Sequence, residues 1–527
     1  MSDPLQPPPN WAEEPPPPPP IAPEEASPEE AAKALAATGV VTLQSATEAE
    51  LDALDRRLDE RVFRSMGSIS VRYVALFMLA GLVVTVGLFA WGYQVYNGIG
   101  VAGIRRPVFW GFYITNFVFW IGISHSGTLV SAILRVLNVE WRRPLTRAAE
   151  AMTVFALMIG GLFPIVHLGR PWRFYWMIPF PNERGLWPNF RSPLMWDLLA
   201  ILTYITASSL FLFFPLVPDL ASARDRATGI RRRLYRLLSL GWRGSQQQWN
   251  RLHLGMRIFT IVVIPIAVSV HSIVSWDFGV TQVEGWHSSV FAPYFVIGAI
   301  YSGIAALMTV LVLVRRGLHL EDYITLRHLD RMGKVLLAVS VIWFFFFWAG
   351  FLTDWYGGNA ISHEIQRMHM FGSMAPLFWT MLGVCMVLPF LTLWFRRVRT
   401  SPGAILVISL LINLGMWIER FLIVVTSPMR NAVSFNWGTY RPQWPEIAIT
   451  VATFAAFTLL YLLFSKAFPL ISLWEVKEGW RIDRWRREGV MEVESDVPST
   501  EPAAGVAAAG AVTGVAAGVA AAVEARS

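Results

Sequence analysis

Charge is what this chain has least of. Only 15% of its 527 residues are Asp, Glu, Lys or Arg, against about 25% in an ordinary soluble domain. With 54% apolar residues, that deficit argues against a water-soluble fold and for a lipid-embedded one. Cysteine is nearly missing as well. Cys385 stands alone in an apolar stretch, so no disulfide can close within the chain. An iron–sulfur cubane, which needs about four thiolates, has no ligand set here. The N-terminus lacks the basic-then-apolar pattern of a secretory signal peptide, which leaves the first membrane helix to direct insertion. The net charge of +7 comes largely from arginines in short loops. It reads as a topology signal rather than a nucleic-acid footprint.

What the chain has instead is apolar runs. A membrane helix needs about 20 mostly apolar residues. Ten candidates lie near 73–97, 107–137, 148–167, 193–216, 254–279, 288–314, 334–354, 370–395, 403–426 and 446–468. The fold class is therefore all-α and polytopic, with both termini on one side. Segments 138–150, 217–253, 315–334 and 396–400 hold 19 Lys plus Arg, while the five loops on the opposite side hold nine. The arginine-rich face, with both termini, is then cytoplasmic. The 24 Trp and 34 Phe suit interfacial belts and helix packing. Trp172, Tyr175, Trp176 and Trp187 crowd the longest outer loop, as an interfacial lid or as an ordinary anchoring belt.

Outside the spans, residues 1–46 form a proline-rich arm with Pro15 to Pro20 in one run. Residues 47–70 carry an amphipathic helix. Thr47 and Glu50 have capping-box spacing, and Leu51, Leu54, Leu58 and Val62 recur at helical intervals. Residues 471–527 read as a cytoplasmic tail, ending in Ala, Gly and Val too weakly apolar to insert. A faint repeat relates Ser126-Gly127 in the second span to Ser302-Gly303 in the sixth. It suggests two four-helix units of like orientation, 107–287 and 288–426. They are flanked by the first span (71–106) and the tenth (427–470).

Ionisable residues at membrane depth cost at least about 2.5–3.5 kcal/mol each and need a reason. His125, in Ser124-His-Ser-Gly-Thr128, titrates near neutrality and can accept a proton from a hydroxyl; a buried structural histidine is the alternative. His167 and Arg170 lie in His167-Leu-Gly-Arg-Pro-Trp172, at the outer interface. Asp197 follows a helix start at Ser192-Pro193, where the helix dipole favours an anion; it is equally a proton acceptor. His271 and Asp277 lie six residues apart, on different faces of the fifth span. Asp354 ends the seventh span, and Glu419 beside Arg420 interrupts the ninth, as a proton relay or a structural ion pair. Convergent His and Asp groups in an apolar, aromatic setting describe a pocket for a lipid-soluble redox molecule with two ionisable oxygens.

At SHSGT (124–128), HLGRPW (167–172) and the Trp196-Asp197 span, the sequence resembles the NrfD/PsrC family of membrane subunits. It is similar in particular to the ActC subunit of bacterial alternative complex III. The resemblance covers roughly 70–470. It implies two four-helix bundles with flanking helices in a bacterial cytoplasmic membrane, the first bundle oxidising menaquinol or ubiquinol near the periplasmic face. No haem or iron–sulfur cluster belongs to such a chain. Its electrons pass to an iron–sulfur subunit and then to multihaem c-type cytochromes, beside a second NrfD-like subunit. The family's quinol-site residues map onto Ser124, His125, His167, Arg170, Asp197, His271 and Asp277. Of these, His125, His167 and Asp197 would carry the catalysis. Asp354 and Glu419 would belong to a proton path through the second bundle. Within the same family, the chain could instead anchor a molybdenum oxidoreductase. Outside it, a di-haem cytochrome b needs histidine pairs at matched depth on facing helices. His253 and His271 share a face, yet no other helix supplies their partners. A secondary transporter would show broken helices and inverted repeats. Pro265 is one candidate break, but the repeat here is parallel.

Overall fold

The computed structural model describes residues 48–178, 193–431 and 433–487. The arm, the cap at Thr47, Trp187, Ser192 and the Ala-rich tail lie outside them. Sixteen helices carry the architecture of the described residues: α1 (Glu48–Gly67), α2 (Val71–Asn97), α3 (Phe112–Val136), α4 (Thr146–Gly160), α5 (Phe163–His167), α6 (Pro193–Arg226), α7 (Gly229–Leu238), α8 (Gln246–Gly279), α9 (Phe291–Gly317), α10 (Leu326–Gly357), α11 (Ala360–Met370), α12 (Ala375–Leu382), α13 (Leu388–Thr392), α14 (Pro402–Met429), α15 (Trp444–Ala467) and α16 (Leu473–Arg487). Among the described residues the only β pairing is the single bridge Arg105–Val108. Ten segments are long and apolar enough to cross a bilayer: α2, α3, α4 with α5, α6, α8, α9, α10, α12 through α13, α14 and α15. The polytopic all-α reading of the sequence holds. Helices are the solution lipid permits, because each satisfies its own backbone.

The described residues fall into two compact units, one from those before 59 together with 480–487, the other from 59–479. In the first, Arg481 pairs with Asp52 and Asp55 at 3.2 and 2.9 Å. In the second, α3 is central: its most apolar stretch is 83% buried, against 17% for α2 and 22% for α15. Small residues let its neighbours close in. A Cβ on Gly127 would lie 2.2 Å from the Ala149 carbonyl of α4, and one on Gly303 of α9 would lie 2.0 Å from the Ser126 Cβ. Gly122 faces Ser302 across the same contact. The two Ser-Gly pairs that suggested a repeat are thus packed against each other. Polar side chains add bonds: Asn116 donates to Thr450 at 2.7 Å and accepts from Trp417 at 2.8 Å.

Several expectations change. The third span is two helices, with Gly160, Gly161 and Leu162 at the break and Pro164 in the first turn of α5. The eighth span opens into one wide turn, Gly383–Val387, between α12 and α13. Pro389 has no N–H to return to the Cys385 carbonyl, and Tyr301 of α9 donates its hydroxyl there instead, at 2.6 Å. Pro265, by contrast, breaks nothing: α8 runs through it.

The stretch after 471 is no tail at its start. Glu475 of α16 is buried and holds Arg135 at 2.9 Å and Arg142 at 2.8 Å. Its carbonyl accepts from Arg143. Arg147 pairs with Asp219 at 3.0 Å, and Asp219 also accepts the Leu473 and Trp474 amides. Arginines counted as topology signals are therefore a buried network, and they hold the Glu475 carboxyl at about 2, below its ordinary 4.5. A depressed carboxyl contributes stability that is full above its unfolded value and is lost as pH falls through the folded one. The apparent Tm of the wild type in detergent is therefore expected to stay level down to about pH 5, then fall. Glu475→Ala strands two buried guanidinium groups and is expected to lose roughly 3–5 kcal/mol, with a lower Tm at neutral pH and a shallower acid limb.

Candidate functional site

Four of the residues singled out in the sequence come together from three helices. His125 of α3 and His271 of α8 lie in ring contact, with centroids 4.5 Å apart. Asp197 of α6 and Asp277 of α8 face each other as a carboxyl pair. All four are at most 1% exposed. The six residues from His271 to Asp277 advance about 9 Å along α8, so the site has two layers: an imidazole pair below and a carboxyl pair above. That resolves the different-face reading of these two residues, since each faces its own layer.

A residue the motifs did not mark completes the lower layer. Tyr204 stacks on His125 with centroids 4.6 Å apart and donates to the Ser124 carbonyl at 3.2 Å. It stands seven residues beyond Asp197, which puts the two within about 20° on one face of α6. That i, i+7 relation was available in the sequence. His125 Nδ1 donates to the Ile121 carbonyl at 2.6 Å, which leaves Nε2 as the acceptor nitrogen. Nε2, both ring nitrogens of His271, both oxygens of Asp197 beyond the carboxyl pairing, and Oδ1 of Asp277 have no hydrogen-bond partner. Each such atom costs about 1–3 kcal/mol, so their concentration in one place is a strong departure from ordinary helix packing. Two carboxyls that face each other can share a proton, so the upper layer can hold a proton as well as accept one.

Other expected members stay apart. Ser124 commits its hydroxyl to the Ile121 carbonyl at 2.6 Å, and its own carbonyl accepts from Thr153 at 2.7 Å; its role here is to position His125. His167 is largely buried with Nδ1 unpartnered, and Arg170 is exposed beyond the turn at Gly169. Among the described residues no hydrogen bond, ion pair or ring contact joins either to the four. Glu419 accepts from the Tyr294 hydroxyl and pairs with Arg420 Nε at 3.2 Å. The Arg420 guanidinium lies over Phe295, 4.5 Å from its centroid, and Phe295 is 6.0 Å from His271. Gly298 makes room for it, since a Cβ there would come within 2.5 Å of Nη2. Asp354 instead lies at the end of α10, near Glu284 and His287, so the two residues expected to share a path do not meet.

Above Asp277, Phe278 packs against Trp110 and Trp286 with centroids 5.5 and 5.0 Å away. Trp110 and Trp286 line a groove of about 460 Å³ that also holds Gln282, Glu284, Arg430 and Asn431. An aromatic trio thus stands between the groove and the carboxyl layer. Trp172, Phe174, Tyr175 and Trp176 are exposed on the turn Pro171–Met177. Among the described residues no group of three His, Cys, Asp or Glu is placed to hold a metal ion. The imidazoles of His125 and His271 touch, leaving no room for a macrocycle between them.

The NrfD polysulphide reductase profile matches residues 100–432, which span every residue of this cluster. The chain belongs to the NrfD family. Its relatives are membrane subunits of redox complexes. It is 26% identical over 418 residues to a dimethyl sulfoxide reductase membrane subunit of Halobacterium salinarum, covering 74% of this chain and 89% of that one. It is 26% identical over 359 residues to a selenate reductase subunit of Mesobacillus selenatarsenatis, covering 66% and 81%. It is 22% identical over 246 residues to an Hdr-like menaquinol oxidoreductase integral membrane subunit of Archaeoglobus fulgidus, covering 47% and 52%. The NrfD resemblance stands at family level; the narrower likeness to ActC is not what these relatives carry.

Two substitutions separate ring from hydroxyl in this NrfD site. Tyr204→Phe keeps the stack on His125 and loses one buried hydrogen bond, so a loss of about 1 kcal/mol is expected. Gly303→Val forces α3 and α9 apart at Ser126 and is expected to cost more and to displace His125. Thermal unfolding of the purified protein ranks the two.

Proposed function

We propose that this chain is the membrane anchor of a molybdenum oxidoreductase complex and exchanges protons and electrons with quinol at the His125–His271 and Asp197–Asp277 layers. The observation that carries the reading is the set of unpartnered imidazole and carboxyl atoms that three helices hold together in an otherwise apolar interior. Membership of the NrfD family and the two reductase relatives support it.

Quinol oxidation releases two protons and two electrons. His125 Nε2 is an acceptor with its tautomer set by the Ile121 carbonyl, and the carboxyl pair accepts a second proton; the same groups donate when the flow is toward quinone reduction. The electrons leave through the iron–sulfur subunit that such complexes pair with an anchor. The groove above Asp277, with its aromatic floor, suits the approach of an apolar ring bearing two hydroxyls. Glu419 and Arg420 stand on the far side of Phe295 from His271, and since a phenyl ring relays no proton, no proton step is routed through them. On this reading the chain works in a bacterial cytoplasmic membrane with its arginine-rich face inward. A second reading, quinol oxidation toward iron–sulfur and multihaem c-type partners as in alternative complex III, draws on the SHSGT and HLGRPW resemblance and on the menaquinol oxidoreductase relative.

Purification of the intact complex in mild detergent, with each partner identified by mass, separates them: a molybdenum subunit supports the first reading, multihaem cytochromes the second, and no redox partner refutes both. In the complex, Asp197→Asn and His125→Ala are expected to lower quinol-linked turnover by about 10²–10⁴, the range of a lost acid–base group. Turnover with an artificial dye donor should stay near wild type. Loss of both activities together would mean a folding defect instead.

A further inference from the structure

Helix α7 joins two membrane helices, following α6 by two residues and preceding α8 by seven. Those two helices run on past their apolar spans, by ten residues after 216 and eight before 254, so its ends alone do not set its level. Its flank is tied, because Tyr235 is buried and donates to the Ala467 carbonyl, the last residue of α15, at 2.8 Å. That tie to the end of the tenth span is what places the middle of α7 beside the membrane boundary.

Its free surface has two kinds of residue. Ile230, Leu234 and Leu237 fall within about 60° of one another at 100° per residue. They are 84%, 45% and 72% exposed, and Leu240 just beyond is 67% exposed. This apolar stripe is turned about 120° from buried Tyr235, so it is not the face that packs on the protein. Arg231, Arg232, Arg233 and Arg236 are exposed around it. Among the described residues no carboxylate forms an ion pair with any of the four. Asp225, the nearest in sequence, is engaged by Arg224 at 2.8 Å.

We infer that α7 is an in-plane anchor that binds anionic phospholipid. Its leucine and isoleucine stripe enters the acyl boundary, and its arginines take lipid phosphate groups. The chemistry argues for this occupant. An apolar stripe held at the boundary meets acyl chains, and unpaired guanidinium groups beside it match phosphate in charge and in bidentate geometry. A polybasic segment at the surface gains from each cation it presents to an anionic leaflet. A zwitterionic leaflet supplies the acyl chains but no net charge. The inference does not rest on the quinol reading.

The test uses the full chain with its partners in nanodiscs of phosphatidylcholine with or without 30% phosphatidylglycerol, a fraction chosen as roughly that of an anionic membrane. Retained lipids are counted by native mass spectrometry. The wild type is expected to retain phosphatidylglycerol at about twice its bulk share, and R231Q/R232Q/R233Q/R236Q to fall to the bulk share. R396Q/R397Q, exposed arginines of another loop, should leave the enrichment unchanged. Equal enrichment in the quadruple variant overturns the proposal. So does enrichment lost equally in R396Q/R397Q, which would mean general charge. Insertion is read separately. Cys385 is buried, so within this chain a fluorophore on Leu237→Cys reports that position alone, and the labelled unsubstituted complex gives the partners' contribution to subtract. Quenching by a lipid-borne nitroxide supports the proposal. Quenching only by an aqueous reagent, or shielding from both by a partner protein or a second copy, overturns it.

Discussion

The close approach of α3 to α9 and α4 is the constraint on which the rest depends. Gly127 and Gly303 remove the side chains that would hold these helices apart. Lipid gives little hydrophobic drive for helices to associate, so contact of this kind and a few polar bonds must do it. With α3 enclosed, every side chain it carries is placed among protein atoms. His125 is buried because Ser126 and Gly127 let its helix sink into the centre.

Burial then sets the chemistry. Three helices converge on one column of imidazole and carboxyl groups, and the atoms that would ordinarily find water find only one another. The fold accepts that cost in one region. The Glu475 carboxylate, by contrast, is closely satisfied, by Arg135 and Arg142, while Arg143 reaches its backbone carbonyl. The contrast between charges that meet opposite charges on the arginine-rich side and a column of imidazoles and carboxyls without a counter-charge separates a structural cluster from a chemical one.

Much of the architecture was legible from hydropathy. The ten spans follow from run length, and their ends from arginine and proline. The exceptions have local causes: glycines and Pro164 divide the third span, and Pro389 opens the eighth. The first turns of α16 were unreadable as structure because their composition is that of a surface helix. Only the burial of Glu475 between arginines from two other segments shows their part in the fold. The assignment at family level was likewise legible in SHSGT and HLGRPW, whereas the kind of complex was not, since that depends on partners outside this chain.

The site was legible in its members and not in its grouping. Sequence alone determined that His125, Asp197, His271 and Asp277 sit at membrane depth, because each interrupts an apolar run. It also held the shared face of Asp197 and Tyr204 on α6, because seven residues make nearly two full turns. Tertiary structure decided which of these meet: His125 with His271, Asp197 with Asp277, and His167, Arg170 and Asp354 with none of them. Depth is a one-dimensional property that a sequence carries directly. Which helix face meets which neighbour depends on the rotation and spacing of whole helices, set by small residues on three different segments acting together.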